Sequence, residues 1–234
     1  MKIIIKGFLN TMTKAQTKAG LVFLPFHMFI LPLLLAMLAN YLSGGLDELT
    51  QTIIYYAIGL IFCLAVMWKF LRGAFDVLLD NPIRSAVALF FGYMLYILLS
   101  YLAAGVLLTL LGDSLSNPNN QALLDAASQS PQAVLGLAVF IAPIVEEILF
   151  RGVVFGGLRT KHRALAFIVS IALFGIYHVW QYALITMDWT LLLYAVQYIP
   201  AGYVLAWAYE KTDSIWVPIF LHMFINGASL LLIG

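Results

Sequence analysis

Charge is what this sequence has least of. Of its 234 residues, 12 are Lys or Arg and 11 are Asp or Glu, 10% in all, where soluble domains carry about a quarter. With 63% hydrophobic residues and a mean hydropathy of +0.98, a water-soluble globule is excluded. The formal net charge is only +1, and no basic run is interleaved with aromatics, so nucleic acid is not an expected partner. There is one cysteine, Cys63, within an apolar run; an intramolecular disulfide is impossible, and the side chain reads as a small core hydrophobe. Low-complexity tracts and internal repeats are also missing.

What the chain has instead is apolar runs of membrane-crossing length, about 20 residues for roughly 30 Å of hydrocarbon. They fall at Ala19–Tyr41, Thr52–Leu71, Ser85–Leu111, Ala133–Leu158, Ala164–Met187, Trp189–Tyr209 and Ser214–Gly234. The expected fold is all-α, a polytopic transmembrane bundle of about seven spans, in a multi-pass protein of the cell membrane with lipid around it. Residues 1–18 differ. Ile4, Phe8 and Met12 recur every four positions, while Lys2, Lys6, Lys14 and Lys18 mark a basic face. That pattern predicts an amphipathic helix lying on the membrane surface. A cleaved signal peptide fits less well, because the basic region is long and the following run is long enough to span. The expected organisation is an interfacial segment over 1–18, N-terminal spans over 19–112 and C-terminal spans over 133–234. Between the last two lies the loop Gly112–Gln132, with Asn117, Pro118, Asn119, Asn120 and a short helical piece, Ala122–Ala127.

Cations sort by loop, although they were not used to choose the runs. Lys2, Lys6, Lys14, Lys18, Lys69, Arg72, Arg84, Arg159, Lys161, Arg163 and Lys211 fall on one side of seven spans. The other side holds Asp47, Glu48, Asp113, Asp125 and Asp188 and no Lys or Arg. By the positive-inside rule the N-terminus is expected in the cytoplasm and the C-terminus outside. Apart from Lys69, two residues from the end of its run, Arg151 alone lies within a span.

Burying a charge at mid-membrane costs at least ~2.5 kcal/mol, so Glu146, Glu147, Arg151, His178, His222 and Asn226 call for a function. Counted from the cytoplasmic end of each span at 1.5 Å per residue, Glu146 lies about 18 Å deep, His178 about 21 Å, His222 about 12 Å and Asn226 about 18 Å. Three spans thus deliver polar groups to one layer. Glu147 and Arg151 are four apart in the favourable acid-before-base order and are expected to pair. Glu146 points about 100° away and is left to face a cavity. His222 and Asn226 also share a face. Pro143 precedes Glu146, where it frees a carbonyl and bends the axis; Pro218 precedes His222 close to a helix start, where proline is simply tolerated. The Gly152 to Gly156 spacing reads as close helix packing.

Glu146-Glu147-Ile148-Leu149-Phe150-Arg151 is an E-E-x-x-x-R motif, Phe174 to His178 is F-x-x-x-H, and His222 to Asn226 is H-x-x-x-N. In that order and in three apolar spans, these motifs resemble the CPBP family of CAAX proteases and bacteriocin-processing enzymes, also called Abi, and are similar to its type II CAAX prenyl proteases. The resemblance covers roughly Ala133 to Asn226 and makes 133–234 the expected protease core. It implies an intramembrane glutamic endopeptidase acting on a membrane-associated protein or peptide. Glu146 and His178 would activate the attacking water, His222 and Asn226 would stabilise the oxyanion, and Glu147 and Arg151 would support the site. The chemistry is consistent: a carboxylate can serve as base and then as acid, while Asn226 can donate hydrogen bonds without exchanging protons.

Glu146, His178 and His222 could instead be zinc ligands, with a fourth position open. The resemblance to the type II branch favours a metal-free site, and no H-E-x-x-H is present. No cofactor is therefore expected, with zinc the alternative. Other readings are a proton-coupled transporter, for which inverted repeats are missing, and a membrane immunity or scaffold protein acting by binding alone. His27, between Pro25 and Pro32, is expected as a hydrogen-bonded core or interfacial histidine, and His162 as a solvated loop residue. Tyr177, Trp180 and Gln181 flank His178 as candidate lining residues.

Overall fold

The computed structural model describes residues 12–112 and 117–233. No strand occurs among the described residues, and the all-α bundle stands. The helices are α1 (Lys14–Tyr41), α2 (Glu48–Asp80), α3 (Pro82–Leu111), α4 (Pro118–Gln129), α5 (Pro131–Arg159), α6 (Arg163–Tyr177), α7 (Trp180–Thr186), α8 (Trp189–Thr212) and α9 (Trp216–Ile233). Five of them, α1, α2, α3, α5 and α8, are long and apolar enough to cross a membrane, and α6 with α7 makes a sixth if the bent pair is one span. The seventh expected span corresponds to α9, whose 18 residues rise only about 27 Å.

The N-terminal boundary differs from expectation for a local reason. Thr13 and Gln16 form a reciprocal cap: the Thr13 hydroxyl accepts from the Gln16 backbone N–H at 3.2 Å, and the Gln16 carboxamide accepts from the Thr13 N–H at 3.0 Å. The helix therefore starts at Lys14, and Lys14 and Lys18 belong to its first turns. Gln16 also donates to the Val66 carbonyl at 3.0 Å, fastening α1 to α2. Met12 is buried against Gly152 and Phe70, so the end of the expected interfacial segment packs into the bundle. The rest of that segment, residues 1–11, lies outside the described residues.

Asp47 caps α2, its carboxylate accepting from the Thr50 N–H at 2.9 Å and from the Thr50 hydroxyl at 2.6 Å. At 33 residues α2 is about 50 Å long, so Lys69 and Arg72 sit on a helical extension rather than in a loop. Only Asn81 separates α2 from α3. The expected short helix of the outer connection is longer than anticipated, Pro118–Gln129, with Pro118 at its start and Asn117 as its cap.

Helix α5 lies at the centre. In its most apolar window 61% of residues are buried inside the protein, against 11% in α3 and 28% in each of α1 and α2, which leave broad apolar faces for lipid. Two stretches of α5 are wound as π-helix, Leu135–Ile141 and Ile148–Phe155, and they bracket Glu146 and Glu147. Such turns recur at functional sites because they rotate the following side chains out of α-helical register. The expected continuous fifth span is broken: α6 ends at Tyr177, His178 and Val179 close tight turns onto Gly175 and Ile176, and α7 departs at 45°. Helix α8 begins as ten residues of 3-10 helix, Trp189–Tyr198, and relaxes to α-helix at Ile199. Gly175 makes room for this segment, since a Cβ there would lie 2.9 Å from the Ala195 carbonyl oxygen.

Candidate active site

Glu146, Glu147, Arg151 and His222 are all buried, Glu147 and Arg151 completely. Arg151 donates to Glu147 Oε1 at 2.9 Å within one helix, to the Gly202 carbonyl of α8 at 3.3 Å, and its guanidinium lies 4.1 Å above the Phe174 ring centroid. The expected pair is present, and it has a third member. Glu147 Oε1 also lies 2.8 Å from His222 Nδ1. This bond sets the orientation of the His222 ring and turns Nε2 towards Glu146 Oε2, 3.9 Å away.

His178 reaches the same oxygen from the broken span. Its Nδ1 is 2.8 Å from the Phe174 carbonyl, a contact in which the ring must be the donor, so Nε2 of the neutral ring is left as an acceptor. That Nε2 is 3.8 Å from Glu146 Oε2. The ring is further fixed by Tyr198, stacked on it at a centroid distance of 4.2 Å and 19°. Tyr198 in turn accepts hydrogen bonds from Asn117 at 3.1 Å and Asn119 at 3.0 Å, which ties the start of α4 to the site.

Asn226 is one turn beyond His222 and makes a contact that the sequence did not announce. Its Nδ2 donates to the Ala138 carbonyl at 2.8 Å. The reason lies in Pro143. Ala142 donates five residues back to Leu137, and in that register the next partner of Ala138 would be residue 143, which as proline has no N–H. Asn226 thus satisfies the carbonyl that Pro143 frees, and its amide keeps a second N–H. Pro218 sits in the first turn of α9, where proline is tolerated.

Polar contacts outside the motif hold these helices in place. Ser170 donates to the Phe150 carbonyl at 3.0 Å, joining α6 to α5, while Ser214 and Trp216 donate to the Ala74 and Leu71 carbonyls at 2.6 and 2.8 Å, joining α9 to α2. One direct neighbour of the site was missed in the sequence: Tyr56 of α2, whose hydroxyl donates to Glu146 Oε1 at 2.9 Å. A tyrosine in an apolar run carries no signal of its own, and Glu146 is 90 residues away. His27 is buried but not hydrogen-bonded as expected; it is sandwiched between Phe23 and Tyr55, and neither ring nitrogen has a partner among the described residues. His162 is exposed. Tyr177 and Trp180 face the aromatic lining, Trp180 against Phe29 and Tyr177 against Phe150.

Zinc is a fair test of the set. Glu146 Oε2 and the two Nε2 atoms are suitable donors, and both rings are held through Nδ1 as zinc-bound histidines commonly are. Their spacing does not suit the ion: tetrahedral ligands about 2.05 Å from zinc sit roughly 3.4 Å apart, whereas these lie 3.8 and 3.9 Å from the carboxylate. Among the described residues no group of three or more His, Cys, Asp or Glu has metal-holding geometry.

Comparison with known proteins points to the same half of the chain. Residues 128–228, which contain every motif residue, match the family described as Type II CAAX prenyl endopeptidase Rce1-like. A candidate membrane peptidase of Bacillus subtilis (strain 168), YdiL, is 28% identical over 179 residues, 74% of this chain and 68% of that protein. The membrane-embedded CAAX protease MroQ of Staphylococcus aureus (strain USA300) is 25% identical over 211 residues, 84% of this chain and 81% of its own. No solved structure gives a significant match. The buried Glu-Arg-His network thus lies in the stretch, residues 128–228 of this multi-pass membrane protein, that is similar to the Type II CAAX prenyl endopeptidases.

Proposed function

We propose that the protein is an intramembrane endopeptidase that hydrolyses a peptide bond of a membrane-associated protein or peptide, with Glu146 as general base and no bound metal. The carrying observation is Glu146 Oε2: a buried carboxylate oxygen with no hydrogen-bond partner among the described residues, facing the Nε2 atoms of two histidines, one from the α6–α7 turn and one from α9. Distances of 3.8 and 3.9 Å are too long for direct hydrogen bonds and suit a water oxygen bridging the groups.

In the proposed reaction Glu146 Oε2 and His178 Nε2, both acceptors, take the two hydrogens of one water and aim its lone pair at the scissile carbonyl. Glu146 removes one proton as the C–O bond forms. The oxyanion is met by the remaining Asn226 N–H and by His222 in its doubly protonated form, held at Nδ1 by Glu147. The proton then passes from Glu146 to the leaving amine nitrogen as the C–N bond breaks, giving a carboxylic acid and an amine and restoring the base.

Comparing peptides in membranes that carry wild-type protein or Glu146→Gln identifies the substrate as a peptide whose processing disappears. Purified Glu146→Gln should be folded and without cleavage of that peptide. Full activity in the variant would overturn the assignment of the base. Stoichiometric zinc, lost with activity on chelation and restoring it on return, would overturn the metal-free reaction.

A further inference from the structure

We infer that Tyr56 is a positioning residue that assigns the two oxygens of Glu146 to different tasks, with Tyr177 and Tyr55 aligned behind it. The inference rests on the reading of Glu146 as base. A glutamate's terminal torsion is broad and nearly two-fold, so a carboxylate held only by its stem can present either oxygen in many orientations. Here the two oxygens are distinguished. Oε1 receives the Tyr56 hydroxyl at 2.9 Å, and Oε2 is left to the histidines.

The direction of the tyrosine chain follows from proton counting. An ionised carboxylate only accepts, and a phenol has a single proton. Tyr56 therefore spends its proton on Glu146 and must accept from Tyr177, whose hydroxyl is 3.4 Å away. Tyr177, its proton spent, accepts from Tyr55 at 3.1 Å. All three hydroxyl dipoles point towards Glu146, and in a poorly screening interior each bond polarises the next. Tyr55 is stacked on His27 at 4.0 Å, and a Cβ on Gly59 would come within 3.0 Å of His27 Cε1, so close packing of α1 on α2 braces the far end. Tyr55 and Tyr56 belong to α2, outside residues 128–228. The N-terminal spans thereby contribute directly to the setting of the base.

The probe is an internally quenched peptide spanning the bond whose cleavage is lost with Glu146→Gln. Tyr56→Phe should lower kcat about tenfold or more while KM and the unfolding temperature in detergent stay at wild type. Tyr177→Phe should give a smaller loss, and the double variant should be no slower than Tyr56→Phe, because Tyr177 acts through it. Wild-type kcat in Tyr56→Phe, losses that multiply, or a loss matched by lower thermal stability would each overturn the positioning role. Inactive Glu146→Gln beside fully active Tyr56→Phe removes this role and leaves the catalytic reading standing; active Glu146→Gln removes the catalytic reading. A second readout needs no substrate. The infrared bands of Glu146, isolated as wild type minus Glu146→Gln, should move in Tyr56→Phe; unmoved bands overturn the inference.

Discussion

Adjacent residues on a helix diverge by about 100°, and in Glu146 and Glu147 that rotation separates two duties. Glu147 meets Arg151 below it and His222 across the interface, both through Oε1, so its charge is partnered within protein while Oε2 makes no hydrogen bond among the described residues. Removing Arg151 leaves a buried carboxylate with only the histidine, empties the stack on Phe174 and strips the Gly202 carbonyl of a donor. Arg151→Ala should therefore destabilise the protein by roughly 3–5 kcal/mol, measured as unfolding in detergent. Unchanged stability would mean that the pair is not structural. The pair itself was legible, since an i to i+4 spacing needs no knowledge of the fold. The second contact of Glu147 was not, because His222 is 75 residues away and which helices meet is a tertiary fact.

Helices α5 and α6 show what apolar runs conceal. Nothing in Ala164–Met187 marks a break, yet the chain turns at His178, whose ring bonds the carbonyl at Phe174. The same holds for α5: Pro143 predicts a freed carbonyl, but that it would be Ala138, and that Asn226 would take it, depends on the π-wound turn before the proline. These two residues should be energetically coupled. Asn226→Ala is expected to cost about 1–3 kcal/mol of stability for the unpaired carbonyl, besides roughly a hundredfold to a thousandfold in rate as an oxyanion donor. In a Pro143→Ala background the backbone N–H returns and the stability cost should shrink, while the rate cost should persist. Equal stability costs in the two backgrounds would show that Asn226 does not serve that carbonyl. Depth along the spans could not show that Asn226 bonds the carbonyl of Ala138, two turns of α5 away from Glu146.

On the scale of the whole molecule, lysine and arginine predict that the Lys161 turn and the Asn119 connection lie on opposite sides of the membrane, with α5 as the one long helix between them. Cysteines introduced at the two positions in a Cys63→Ser background should label from opposite faces. Labelling from the same face would mean that α5 does not cross. Cys63 is the one thiol of the chain, and its replacement removes the background label. One feature of α5 matters before the bundle exists. A lone arginine near the middle of a helix entering the bilayer is penalised by about 2.5–3.5 kcal/mol on insertion scales, and a glutamate by a further cost of its own. Because Glu147 and Arg151 lie one turn apart on the same helix, they can neutralise each other during biogenesis, before α8 or α9 has been synthesised. The segment can thus pass from the insertion machinery into lipid as a dipole rather than as two ions, and it carries its most polar cargo across without waiting for partners.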